Sequence, residues 1–162
     1  MEKLGGEISV SSAKGEGSTF TFTLPATLPN LPSDFTVPGP SAKRILVVEE
    51  DPSFSGLLRL YLAQVGYLVH HAPSAEEALR LARETPFDLI TLGIQLPDRD
   101  GYSVLEELKA DPATTAIPVM VITSLPDEGR GQLQGAVDVM RKPLGRSDFL
   151  KRVRRAIVNT HE

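Results

Sequence analysis

Residues 44–66 read RILVVEEDPSFSGLLRLYLAQVG, and this stretch decides the fold. Ile45 to Val48 is an uninterrupted apolar run of strand length, the mark of a strand buried on both faces. Asp51 then sets a carboxylate acceptor ahead of Pro52, a residue suited to the first helical position. Phe54, Leu57, Leu58, Tyr61, Leu62 and Val65 follow at helical spacing until Gly66 stops the helix. A buried strand feeding an amphipathic helix is a βα unit.

Toward the C-terminus the same unit recurs. Leu68 to Ala72 reads as a second strand, and Ser74 with Glu77 three residues on is a capping box opening a helix that carries Ala78, Leu79 and Leu81. Leu89 to Leu92 is a third strand, Pro97 to Gly101 a loop, and Tyr102 to Lys109 a helix presenting Val104, Leu105 and Leu108. Val119 to Thr123 is a fourth strand. A weak helix is expected over Asp127 to Gln134, interrupted by Gly129 and Gly131, then a fifth strand over Val137 to Arg141. Ser147 is expected to cap a last helix that packs Leu150, Val153 and Ile157. Five such units predict an α/β fold with a doubly wound parallel sheet and its site at the carboxyl ends of the strands.

Toward the N-terminus the text changes. Pro25, Pro29, Pro32, Pro38 and Pro40 crowd into residues 25–43, which read as an extended, semi-rigid linker able to span about 50 to 60 Å at polyproline rise. Before it, Ile8 and Val10 alternate with polar residues, and after a turn over Lys14 to Gly17 the alternation resumes at Phe20, Phe22 and Leu24. That is a β-hairpin pattern, and a two-stranded hairpin alone is marginal in water. The expected division is therefore a hairpin over residues 1–24, the linker over 25–43 and the α/β domain over 44–162.

Composition narrows the function. The chain has 162 residues, 17 basic against 21 acidic, for a formal charge of -4, which gives no electrostatic case for a nucleic-acid or anionic-membrane binder. With no cysteine, thiolate metal sites and disulfides are excluded. No apolar run is long enough to cross a bilayer, and Met1 to Gly6 has no signal-peptide core, so a cytoplasmic chain is expected. Protein partners are the default.

Residues 44–159 resemble the response-regulator receiver of two-component phosphorelays. That family carries an acidic pair after its first strand, matched by Glu49 and Glu50, a hydroxyl ending the fourth, matched by Thr123, and Lys-Pro after the fifth, matched by Lys142 and Pro143. The resemblance implies a flavodoxin-like (βα)5 sheet in the order 2-1-3-4-5 and a cis Lys142–Pro143 bond. It places the phospho-acceptor aspartate at the end of the third strand, where Gly93 stands within DLITLGIQLPDRDG, residues 88–101. The first 24 residues are similar to the end of a histidine-kinase ATP-binding domain, in LGGEISV (4–10) and GEGSTFTFTLP (15–25), without the boxes that hold ATP. Kinase tail, linker and receiver is the domain order of a hybrid histidine kinase.

In the family the acidic pair and the acceptor hold Mg²⁺, while the lysine and hydroxyl take the phosphoryl oxygens, an arrangement suited to phosphoryl transfer onto a carboxylate. Gly93 removes the nucleophile and one metal ligand together. Glu49 and Glu50 replace aspartates and lengthen each carboxylate by a methylene, so no cofactor is expected and Mg²⁺ binding should be weak at best. Asp98, Asp100 and Thr91 are not placed to substitute. Lys142 is left to pair with Glu49 or Glu50.

The reading that results is a non-enzymatic pseudo-receiver that contacts a histidine kinase or a response regulator, with a homodimer through the hairpin edges as a further association. The alternatives are a phosphorylatable receiver, with an unusual acceptor or with Gly93 as an introduced change, and a truncated active hybrid kinase. His70 and His71 lack neighbours for metal or phosphoryl chemistry. Arg146, Lys151, Arg152, Arg154 and Arg155 read as a solvated face of the last helix.

Overall fold

The computed structural model describes residues 7–13, 17–23, 38–126 and 130–159. It divides into two units, residues 1–33 and 34–162. In the first, strands β1 (Glu7–Ala13) and β2 (Gly17–Thr23) form an antiparallel pair whose register sets Ile8 opposite Phe22 and Val10 opposite Phe20. The turn residues 14–16, Leu24 and most of the expected linker, residues 25–37, lie outside the described residues. The linker's last part departs from an extended chain: Ala42 N–H donates to Gly39 O at 3.0 Å, making a turn beside the α/β unit.

That second unit runs β3 (Arg44–Val48), α1 (Pro52–Gln64), β4 (Leu68–Ala72), α2 (Ala75–Glu84), β5 (Leu89–Gly93), α3 (Gly101–Ala110), β6 (Val119–Thr123), α4 (Arg130–Leu133), β7 (Asp138–Arg141) and α5 (Arg146–Val158). All neighbouring strands are parallel, in the order β4-β3-β5-β6-β7. Counting these five alone gives 2-1-3-4-5, as the resemblance implied.

The central strands are apolar on both faces because both are covered. Leu46, Val48, Ile90, Leu92, Val119 and Val121 pack with Ala78, Leu79, Val104, Leu105 and Leu108 of α2 and α3. Ile45, Val47, Leu89, Met120 and Ile122 pack with Leu58 and Leu62 of α1 and Phe149, Val153 and Ile157 of α5. The chain leaves β3 to one side through α1 and returns to its other side as β5. The ends of β3 and β5 therefore flank the switch point where α/β sheets hold their sites.

Several local expectations are corrected. Ser147 does not cap α5: the N-cap is Gly145, with no side-chain bond, and Phe149 N–H donates to Gly145 O at 3.0 Å. The helix starts at Arg146, which leaves the serine inside the first turn. The fourth helix is described only over Arg130–Leu133 and ends at Gly135, whose φ of 95 needs a glycine. Residues 127–129 lie outside the described residues. Leu57, expected in the core stripe of α1, is exposed, as is Val137, which precedes β7. Strand β5 extends one residue further than expected, to include Gly93.

The serine half of the expected capping box forms, while the Glu77 carboxylate is taken by Arg80 on both oxygens. Ser74 Oγ accepts Glu77 N–H at 3.3 Å, and Ser74→Ala is expected to cost about 1 kcal/mol, read as a lower denaturation midpoint at unchanged slope.

Candidate functional site

A cleft of about 190 Å³ opens at the carboxyl ends of β3, β5, β6 and β7, lined by Glu49, Glu50, Asp51, Gly93, Ile94, Gln95, Ile122, Thr123, Ser124 and Lys142. Residues distant in sequence meet here because parallel strands deliver their C-terminal ends to one edge. Glu49, Glu50, Gly93, Thr123 and Lys142, the positions matched to the receiver pattern, all line this cleft, and Pro143 follows Lys142 through a cis bond.

Glu49 is buried, and its side chain is 6% exposed. Its backbone N–H donates to Ala72 O at 3.1 Å, and its carbonyl meets His71 Nε2 at 3.0 Å. Its carboxylate takes Asp51 N–H on Oε1 at 3.3 Å and Lys142 Nζ on Oε2 at 2.9 Å. Glu50, one residue on, is exposed. Both glutamates line the cleft, and of the two pairings left open by sequence the structure selects the buried Glu49. Lys142 Nζ also stands 3.9 Å from the centre of the Phe54 ring, in the range of a cation–π contact. Phe54, read from sequence as a core position of α1, is half-buried against the core and also meets the lysine.

Thr123 is buried, and its Oγ1 accepts Leu125 N–H at 3.0 Å, closing the turn that follows β6. Lys142 N–H donates to Thr123 O at 2.9 Å and ties the ends of β6 and β7 together. Across the mouth, Ser124 Oγ lies 3.4 Å from Gln95 Oε1.

Gly93 sits at the floor. A Cβ there would lie 3.1 Å from Val48 O and 3.2 Å from Glu49 Oε2. Thr91, Asp98 and Asp100, weighed from sequence as substitutes, do not line the cleft. Thr91 is buried in the sheet with its hydroxyl unpartnered among the described residues. Asp100 caps α3, accepting Tyr102 N–H at 3.3 Å.

Asp98 has a task that sequence reasoning missed. Its two carboxylate oxygens accept Ala75 N–H and Glu76 N–H, both at 2.9 Å, latching the loop after β5 to the N-terminus of α2. Nothing local signals this, since the partners lie more than twenty residues away. These backbone bonds hold the Asp98 carboxyl below its usual range. A depressed folded value contributes stability that is present above the unfolded carboxylate pKa of about 3.9 and lost as pH falls through the folded value. Asp98→Ala is expected to speed hydrogen exchange at the Ala75 and Glu76 amides at neutral pH. Wild type should lose that protection only under acid.

The donor set does not suit a hard divalent cation, the group that the receiver resemblance implies. Both Glu49 oxygens are already engaged, Glu50 at the cleft rim is exposed, and residue 93 supplies no oxygen from a side chain. Among the described residues no three His, Cys, Asp or Glu side chains converge.

A family model described as response regulator receiver domain matches residues 45–154. The DNA-binding dual master transcriptional regulator RpaA of Synechocystis is 36% identical over 120 residues, covering 72% of this chain and 50% of that protein. The chain thus spans about half the length of this curated relative. Among solved structures, the signal receiver domain of a signal transduction histidine kinase from Syntrophus aciditrophicus aligns at 32% identity with a TM-score of 0.69, covering 73% of this chain and 92% of that one. The receiver domain of sensor histidine kinase PA1611 from Pseudomonas aeruginosa, solved with a magnesium ion in its active site cleft, aligns at 27% identity and a TM-score of 0.67, over 72% of this chain and 98% of that one. Sheet order, cleft residues and family match agree that this chain belongs to the response regulator receiver domain family.

Proposed function

We propose that this chain is a receiver without a phospho-acceptor, a pseudo-receiver that signals through protein contact with a histidine kinase or a response regulator. The observation that carries the reading is Gly93 at the floor of the cleft, level with Glu49, Thr123 and Lys142, where the family resemblance calls for the nucleophilic aspartate. An acyl phosphate needs a side-chain carboxylate at that point. Thr91 is buried in the sheet, and the Asp98 and Asp100 carboxylates are bonded to the first turns of α2 and α3.

The proposal extends to domain order. Residues 1–24 are the end of a histidine-kinase ATP-binding domain, 25–43 a linker and 44–162 the receiver, as in a hybrid kinase. The glycine-rich text of the hairpin supports this, as does the likeness to receivers taken from histidine kinases. ATP titrated into this chain should give no saturable binding; saturable binding would favour a working kinase remnant.

Incubation of the unmodified chain with acetyl phosphate or beryllofluoride in magnesium buffer, followed by intact mass and amide spectra, tests the main reading. No adduct and no shift at Thr123 or Lys142 are expected. A stoichiometric adduct would overturn it.

A further inference from the structure

Glu49 is bonded through both its backbone and its carboxylate. Four bonds fix it: its N–H to Ala72 O, its carbonyl to His71, Oε1 to the Asp51 N–H that precedes α1, and Oε2 to Lys142 Nζ. The direction in which it is held matters more than the number of bonds. Oε2 lies 3.2 Å from the point where a Cβ of residue 93 would start, so the carboxylate lies along the entrance to the space that a side chain there would enter. The methylene that distinguishes Glu from Asp provides the reach. Lys142, with its side chain 27% exposed, thus has an anion of the protein's own, nearly buried, on one side and the Phe54 ring on another.

We propose that Glu49 is the cleft's built-in ligand: its carboxylate borders the space left by Gly93 and engages Lys142, holding the ends of β3, β6 and β7 in one state without phosphorylation. The inference rests on the pseudo-receiver reading and states how that module is kept in a single state. It makes positions 49 and 93 complementary, a long carboxylate beside an absent side chain. It also explains why the loss of an acceptor does not leave the half-buried Lys142 without a counter-charge. Thr123 is consistent with this state, since its hydroxyl oxygen is turned to its own turn at Leu125.

Removing the built-in carboxylate should create a site for an external one. In the full chain, Glu49→Ala is expected to lower the thermal midpoint by several degrees. Sodium acetate or formate should recover part of that loss, and sodium chloride at equal ionic strength should not. Amide shifts should be confined to Gly93, Ile94, Thr123 and Lys142. Wild type should respond alike to both salts. Glu49→Gln, which fills the space without charge, should be destabilised and not rescued. If Glu49→Ala does not fold, the Lys142 ammonium signal decides: slow proton exchange in wild type and fast exchange in Glu49→Gln are expected. Equal exchange in the two, or a folded Glu49→Ala that keeps the wild-type midpoint or ignores acetate, would overturn the proposal. A wild-type chain that takes up a phosphoryl group would instead sink the pseudo-receiver reading, so the two failures are distinguishable.

Discussion

Gly93→Asp is expected to change the chain from one that takes up no phosphoryl group to one that does. With acetyl phosphate in magnesium buffer, the phosphorus–oxygen bond to acetate breaks and a new one forms to the introduced carboxylate. Intact mass should show one adduct per chain. The change is one of kind, because no adjustment of neighbours supplies an oxygen where glycine has none. Accommodation is the cost: the new Cβ would start 3.1 Å from Val48 O and 3.2 Å from Glu49 Oε2. The strand backbone cannot withdraw, but the end of a Glu side chain can, so Glu49 should turn away and Lys142 should exchange one carboxylate for the other. Adding Glu49→Asp should speed uptake by removing the competing group. If Gly93→Asp folds and remains unlabelled, the cleft has lost more than its acceptor.

Gly101→Ala is expected to be the most damaging single methyl in the domain. Gly101 opens α3 with its N–H on Ile94 O at 2.7 Å, closing the loop that leaves β5. A Cβ there would overlap the Gly93 carbonyl oxygen and lie 2.7 Å from Ile94 Cα and 3.1 Å from Gly93 C. All three are backbone atoms at the end of β5, where Gly93 pairs with Ile122 of β6, so no rotamer change relieves the contact. Overpacking of this sort costs about 3 kcal/mol, which for a domain of this size lowers the thermal midpoint by roughly 10 °C. Calorimetry gives the number, and a midpoint within about 2 °C of wild type, less than about 1 kcal/mol, would contradict the account. The glycine is therefore required by the closeness of two chain segments.

How legible this was in sequence varied with the range of the forces involved. Strands β3, β5 and β6 read directly, since a strand covered on both faces must be apolar throughout. Asp51, Ser74 and Gly66 marked helix ends through bonds or backbone angles confined to a few residues. Ser147 misled because a serine at a plausible distance looks like a cap, while α5 starts one residue earlier, from Gly145 with no side-chain bond. Leu57 misled because helical spacing gives the width of an apolar stripe but not how much of it a neighbour covers. The cleft residues were legible by resemblance to a known pattern. Their partners were not: sequence left Lys142 to choose between Glu49 and Glu50, and gave no sign that Asp98 reaches back to α2 or that Phe54 lies under the lysine.

From its own periodicities and punctuation, the chain determined five βα units, the edge of the sheet that carries the site, and the absence of a carboxylate at residue 93. Those depend on local steric and solvation rules that act over a few residues. Tertiary structure alone decided that Glu49 borders the space beside that glycine, that Lys142 is committed to it, and that Gly101 has no room for a methyl. Each of these depends on distances between segments 8 to 93 residues apart, which only the assembled sheet brings within contact range.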